Sequence, residues 1–248
     1  MHSVAILALA GDLDAEVKQL AVDLGVIAYE ARAKLASGAP MVVLATPDAA
    51  RAAQLVASLR GRGHDAFAVD SAHVVGVANM IVPKHVELER EALVVTAGAG
   101  AGERLPWHEL AAIVRAVHRA RTERTEKVTK KEFSASRAAL TGGLVMNKKV
   151  TKEQTTYGEV VEPVCYLFAR SAGVPWCLME RHMHYDVLGD AMTTASFSNF
   201  EMMVDAVRVR APGAAYDTRL VARKAAAEQL DLLAHVIARG AGAAMPFR

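Results

Sequence analysis

Aromatic residues make up only 5% of this 248-residue chain, and cysteine occurs twice. The scarcity of large rings leaves Ala, Val and Leu to build the core. Two thiols, Cys165 and Cys177, cannot make the disulfide framework of a small secreted protein. They are expected as reduced core residues of a cytoplasmic protein. No apolar run approaches the ~20 residues needed to span a bilayer. The opening MHSVAILALAGD has no basic region before its apolar run, which stops at Asp12, so it reads as a strand and not as a signal peptide. A net charge of +2 gives no global pull toward nucleic acid or membrane. Catalytic motifs are missing too. The GAGAG run at 98–102 lacks the Gly-Lys-Ser/Thr ending and the strand-then-helix setting of a phosphate loop. Ser134, Ser136 and Ser171 sit in no nucleophile-elbow pattern. A non-enzymatic protein without a cofactor is expected.

What is present is a compact pattern at the start. Val4, Ile6 and Leu7 begin a buried-type strand. Asp12 or Asp14 can cap the next helix, in which Val17, Leu20, Ala21 and Leu24 repeat at the spacing of one buried face. Gly25 ends it. A short helix over 28–37 closes at Gly38 and Pro40, and the strand MVVLAT follows. Thr46, Pro47 and Asp48 read as a helix start, with Thr46 as the cap and Pro47 at the first helical position. Ala49, Ala52, Val56 and Leu59 line that helix, Gly61 and Gly63 stop it, and 66–70 complete the sheet. The expected order is β-α-α-β-α-β, with helices on one face of three strands.

The segments GVIAYEARAKLASGAP and PDAARAAQLVASLRGRGHDAFAVD resemble the C-terminal domain of the bacterial ribosomal stalk protein and the related fold of the Clp protease adaptor. Lys18 stands where the stalk family carries a helix-1 lysine, and Glu30 with Ala31 matches its Glu-Ala step. The resemblance implies a domain that holds other proteins, with Lys18 and Glu30 in its contact face. Two features depart from those families. Gln19, Ala21 and Val22 replace the basic cluster of the stalk protein, and Gly11, Asp12, Leu13 and Asp14 replace the Asn-Asp-Asp start of the adaptor.

The pattern changes near 71–79, which suggests a domain over 1–72, a linker over 73–79 and a second domain over 80–248. Strand-like runs at 82–88 and 92–95 lead into LPWHELAAIVRAV, and VCYLFAR and PWCLMERHMHY form two later strands. SFSNFEMMVDAVRVRAPG reads as an amphipathic helix with Ser198 and Glu201 spaced as a capping box. Strands followed by one such helix resemble bacterial PH-like domains. A final helix is expected over 218–239. The fold class is thus α+β: a small β-α-α-β-α-β sandwich domain, then a PH-like antiparallel β domain with C-terminal helices.

An arm over about 119–156 is expected within the second domain. Residues 119–132 and 147–156 are polar, and FSASRAALTGGLVM between them is apolar. Segment 119–152 carries ten basic residues and three acidic ones, a local excess of +7 in a chain whose total is +2. This suggests a contact arm, with Lys130, Lys131, Lys148 and Lys149 as its charges and Leu140 and Met146 at its apolar tip. The same composition suits a solvated edge guarded by lysines. A protein partner is favoured, in an adaptor or assembly role. An anionic membrane surface is an alternative, and self-association remains open. Nucleic acid is disfavoured, because stacking aromatics are missing from the arm.

Glu180, His182, His184 and Asp186 alternate, so on a strand they would share one face. His182 and His184 are therefore candidate metal ligands, and a metal-dependent enzyme on that strand is a further alternative. An exposed polar strand face fits the same pattern.

Overall fold

The computed structural model describes residues 1–133 and 147–244, with side chains described outside 120–159. Its class is α+β. Strand β1 (His2–Ala8) is central in a sheet ordered β2-β1-β3, with β2 (Met41–Thr46) and β3 (Asp65–Asp70) both antiparallel to it. Helices α1 (Leu13–Leu24) and α2 (Ala28–Leu35) connect β1 to β2, and α3 (Ala49–Gly61) connects β2 to β3. Asp12 caps α1 by accepting from Ala15 N at 2.8 Å. The cap of α3 is Asp48, which accepts from Ala50 N and Arg51 N, and not Thr46 as the sequence suggested. Thr46 instead accepts from Asp48 N.

Alternation along β1 sorts its side chains between two cores. Val4 and Ile6 join Val17, Leu20, Leu24, Leu55 and Leu59 beneath the three helices. Ala5 and Leu7 face the other way, into a core with Val69, Tyr166, Phe168, Leu230, Leu233 and Ile237. That second core is built around α5 (Ala227–Gly240), which buries residues on nearly every side. The helix begins nine residues later than the sequence suggested, because 215–220 form a strand. At its end Gly240 lets the backbone approach β1: a Cβ there would stand 2.6 Å from Leu7 Cδ2. Arg239 donates to Ala68 O, and Arg219 to Leu7 O.

The remaining strands form two sheets. One has the order β4-β5-β6, with β4 (Pro83–Leu88), β5 (Ala92–Gly98) and β6 (Arg104–Pro106). The other has the order β10-β7-β8-β9, with β7 (Leu110–Phe133), β8 (Asn147–Ala169), β9 (Trp176–Met179) and β10 (Ala215–Leu220). Strand β10 pairs with β7 in parallel, a departure from the antiparallel pattern expected for this half. On β8, Val164, Tyr166 and Phe168 face α5, while Cys165 and Leu167 face a third core with Trp107, Ile113 and helix α4 (Ser196–Arg210). The glycines of the 98–102 run serve the turn after β5: Gly98, Gly100 and Gly102 all have positive φ, and a Cβ on Gly100 would meet Ile81 at 2.5 Å.

The capping box expected at Ser198 and Glu201 is not formed. Helix α4 starts three residues earlier, with Ala195 at its N-cap, and Asn199 instead bridges the preceding loop, accepting from Thr193 N and donating to Thr193 O. Glu201 is drawn to Arg115, which donates to it through both terminal nitrogens. Both cysteines are free and buried on adjacent strands. Burial pushes the Cys165 thiol up to about 12 and the Cys177 thiol well above its ordinary value, so neither is a nucleophile at neutral pH.

The compact units divide at a different place from the change of sequence pattern. Residues Met1–His118 and Glu162–Arg248 form one, and Arg119–Val161 form the other. The segment 73–79 lies inside the first unit, held by Val75 N donating to His235 Nε2 and Val77 N donating to Asp231 Oδ2. Among the described residues no helix is long and apolar enough to cross a membrane.

Candidate functional site

The corner between α1 and α2 exposes what a folded surface ordinarily covers. Val22 is 78% exposed, Ile27 65% and Tyr29 78%. All three lie within eight residues of chain around Gly25, whose φ of 70° turns α1 into α2. Lys18, one turn before Val22, and Glu30, next to Tyr29, are exposed on the same two helices. Beside the corner an open depression of about 680 Å³ is lined by Val22, Asp23, Leu24, Arg51, Gln54 and Leu55 among others.

The scaffold beneath this corner is firmly tied. Arg62 donates to both carboxylate oxygens of Glu16, at 2.9 and 2.8 Å, and stands 2.8 Å from Asp23. His64 places Nε2 2.7 Å from Glu16, while its Nδ1 accepts from Ala10 N. Burial favours the neutral acid at Glu16, but the hydrogen bonds from Arg62 and His64 outweigh it and hold its carboxyl below the ordinary range. Arg51 donates to Leu24 O, setting a cation at the negative end of α1. Asp14 and Arg32 pair across the two helices. The exposed side chains thus stand on a fixed platform, the condition for a preformed binding surface.

The other expected contact residues are distributed as follows. Lys130 and Lys131 lie on β7, and Lys148 and Lys149 on β8, all within the unit Arg119–Val161. Leu140 and Met146 fall outside the described residues. The strand expected to carry His182 and His184 ends at Met179, so the two histidines do not share a strand face. His182 Nδ1 lies 3.9 Å from Glu162 Oε1. His184 stacks instead on His85, a residue the sequence offered no reason to choose, since 99 positions separate them.

A second polar cluster is buried. The Tyr166 hydroxyl donates to Asp231 Oδ1 and lies 2.6 Å from His118 Nε2, and His235 Nδ1 donates to Asp231 O. It is closed to solvent and ties elements together. A usable signal for the exposed corner lies in the sequence, because Val22 is off the stripe of Val17, Leu20, Ala21 and Leu24. No such signal marks the buried cluster, whose members come from three distant segments.

No protein-family model, curated protein or solved structure shows a significant match to this chain.

Proposed function

We propose that this chain is a non-enzymatic adaptor or assembly protein that holds a protein partner at its α1–α2 corner. The exposure of Val22, Ile27 and Tyr29 on a tied platform carries the reading. Large apolar and aromatic side chains are the residue types that dominate protein interfaces, and leaving them in water is unfavourable. The β-α-α-β-α-β order supports reading the first module as a stalk-type or adaptor-type domain, and helix α4 following strands supports a PH-like reading of the rest. Val22 stands where the stalk protein has basic residues. The partner surface at the corner is accordingly apolar and not acidic. The basic segment 119–152 would supply a second, charge-dependent contact, with Lys130, Lys131, Lys148 and Lys149 facing an acidic surface.

The test is affinity capture from native lysate, with captured proteins identified by mass spectrometry. The pair Ile27→Asp with Tyr29→Asp should lose the partner while keeping the wild-type melting temperature, because both side chains are already in water. Capture unchanged by that pair would remove the corner as the binding face. Flotation of the intact protein with anionic vesicles, reversed by charge inversion at the four lysines, would replace the protein partner with a membrane surface.

A further inference from the structure

Away from the α1–α2 corner, three donor groups converge at the open end of the β4–β5 hairpin. His85 lies on β4, and His184 and Asp186 on the segment after β9. The two imidazole rings stack with centroids 4.3 Å apart and planes within 3° of parallel. His85 Nδ1 stands 3.4 Å from Asp186 Oδ2. One ligand-type atom from each of the three residues lies within 4.8 Å of the others. Together with Glu87 and Thr96 they line a depression of about 310 Å³.

We infer that His85, His184 and Asp186 form a binding site for a zinc-class divalent cation. Two imidazoles and one carboxylate make a nitrogen-and-oxygen set suited to zinc and its first-row neighbours nickel and copper, and unlike the all-oxygen shells of calcium and magnesium. Three protein ligands leave a fourth tetrahedral position to water, as in open zinc sites. Ligand atoms around zinc stand about 3.3 Å apart, given bonds near 2.0–2.1 Å. The cluster therefore needs a contraction of up to about 1.5 Å, with the two rings turned out of their stack so that both in-plane lone pairs meet the ion, a movement open to side-chain rotation at His184 and Asp186, which are exposed.

The backbone beneath the ligands is set in advance. His184 N donates to Lys84 O at 2.8 Å, which docks the segment directly beside His85. Between the two ligands, Tyr185 is buried in the third core, and its hydroxyl donates to Glu180 O at 2.6 Å. Leu188 N donates to Tyr185 O, closing the turn that presents Asp186. Glu87, two residues after His85 and so on the same face of β4, brings a further carboxylate to the rim.

Zinc titration of the intact, tag-free protein against a chromophoric chelator tests the site. The wild type should take up one zinc per chain. His85→Ala and His184→Ala should each weaken binding ~10-fold or more, and Asp186→Asn should weaken it measurably, as loss of one ligand in three requires. His182→Ala should leave affinity unchanged, and magnesium should not compete. In the wild type, zinc should also protect His85 and His184, but not His182, from diethyl pyrocarbonate. No uptake by the wild type, unchanged affinity in the His85 and His184 variants, or protection centred on His182 would each overturn the inference.

Discussion

The Tyr166 hydroxyl donates to Asp231 Oδ1 at 2.7 Å, although Tyr166 is fully buried and Asp231 only 3% exposed. The other carboxylate oxygen of Asp231 accepts from Val77 N, and the Tyr166 oxygen faces His118 Nε2. One acid on α5 therefore joins β7, β8 and the 73–79 segment. Burial raises the Tyr166 hydroxyl well above its ordinary value, which keeps it a donor at any accessible pH.

Tyr166→Phe leaves Asp231 Oδ1 and His118 Nε2 without this partner in a dry core. A loss of about 1–3 kcal/mol is expected for removal of such a bond. The double variant Tyr166→Phe with Asp231→Asn should cost less than the sum of the two single changes, because the residues share one network. Urea denaturation of the four proteins measures both quantities. Strict additivity would show that the network does not act as a unit.

Two histidines make stability depend on pH. Burial lowers His118, although Asp231, Glu162 and Glu228 pull it back, and burial likewise lowers His235. His235 is held neutral by geometry, since Nδ1 donates to Asp231 O and Nε2 accepts from Val75 N. The unfolded chain takes up protons near pH 6.5 while the folded chain does not. Their contribution is thus complete above about pH 6.5 and is lost as pH falls toward the lower folded values, by up to about 1.4 kcal/mol per pH unit for each histidine. Denaturation midpoints at about pH 7.5 and pH 5.5 should differ accordingly. Equal midpoints would show that both rings charge freely in the fold.

The first three-stranded sheet should not stand alone. A fragment of residues 1–72 would expose Leu7, Phe67 and Val69 where α5 covers them. Each large apolar side chain left in water costs about 1.5–3 kcal/mol, comparable to the whole stability of so small a domain. Circular dichroism of the fragment should show no cooperative melt. A sharp melt would establish the sheet and its three helices as independent of α5.

Glu201→Ala should destabilise more than Arg115→Met. Arg115 has a side chain only 8% exposed, and it also lies over the Phe200 ring. Removing Glu201 strands a buried cation, an effect of about 3 kcal/mol, whereas Met keeps the packing and removes the charge. Thermal melts of the two variants check the order, and the reverse order would place the weight of the pair on packing at Arg115.

Local patterns carried much of this fold in the sequence. The stripe of Val17, Leu20, Ala21 and Leu24 placed α1, and Asp12 marked its start, because both depend on neighbours within a few residues. The second face of β1 was not legible: Ala5 and Leu7 alternate correctly with Val4 and Ile6, but nothing nearby says that a helix more than 200 residues away covers them. The cap at Ser198 failed for a related reason, since Arg115 draws Glu201 away and Asn199 serves the loop. The start of α5 was misplaced because 215–220 pair with β7, a parallel partner that no local pattern announces. At the candidate sites, His184 was legible as a polar residue with ligand chemistry, whereas His85 became its neighbour only through the backbone bond from His184 N to Lys84 O.

Hydrogen–deuterium exchange of the full chain, alone and with its captured partner, tests the proposed binding role most directly. Binding at the α1–α2 corner predicts slowed exchange across residues 18–30, together with slower exchange over 119–152 that fades as salt is raised. Protection confined to other segments, with 18–30 exchanging as in the free protein, would contradict it.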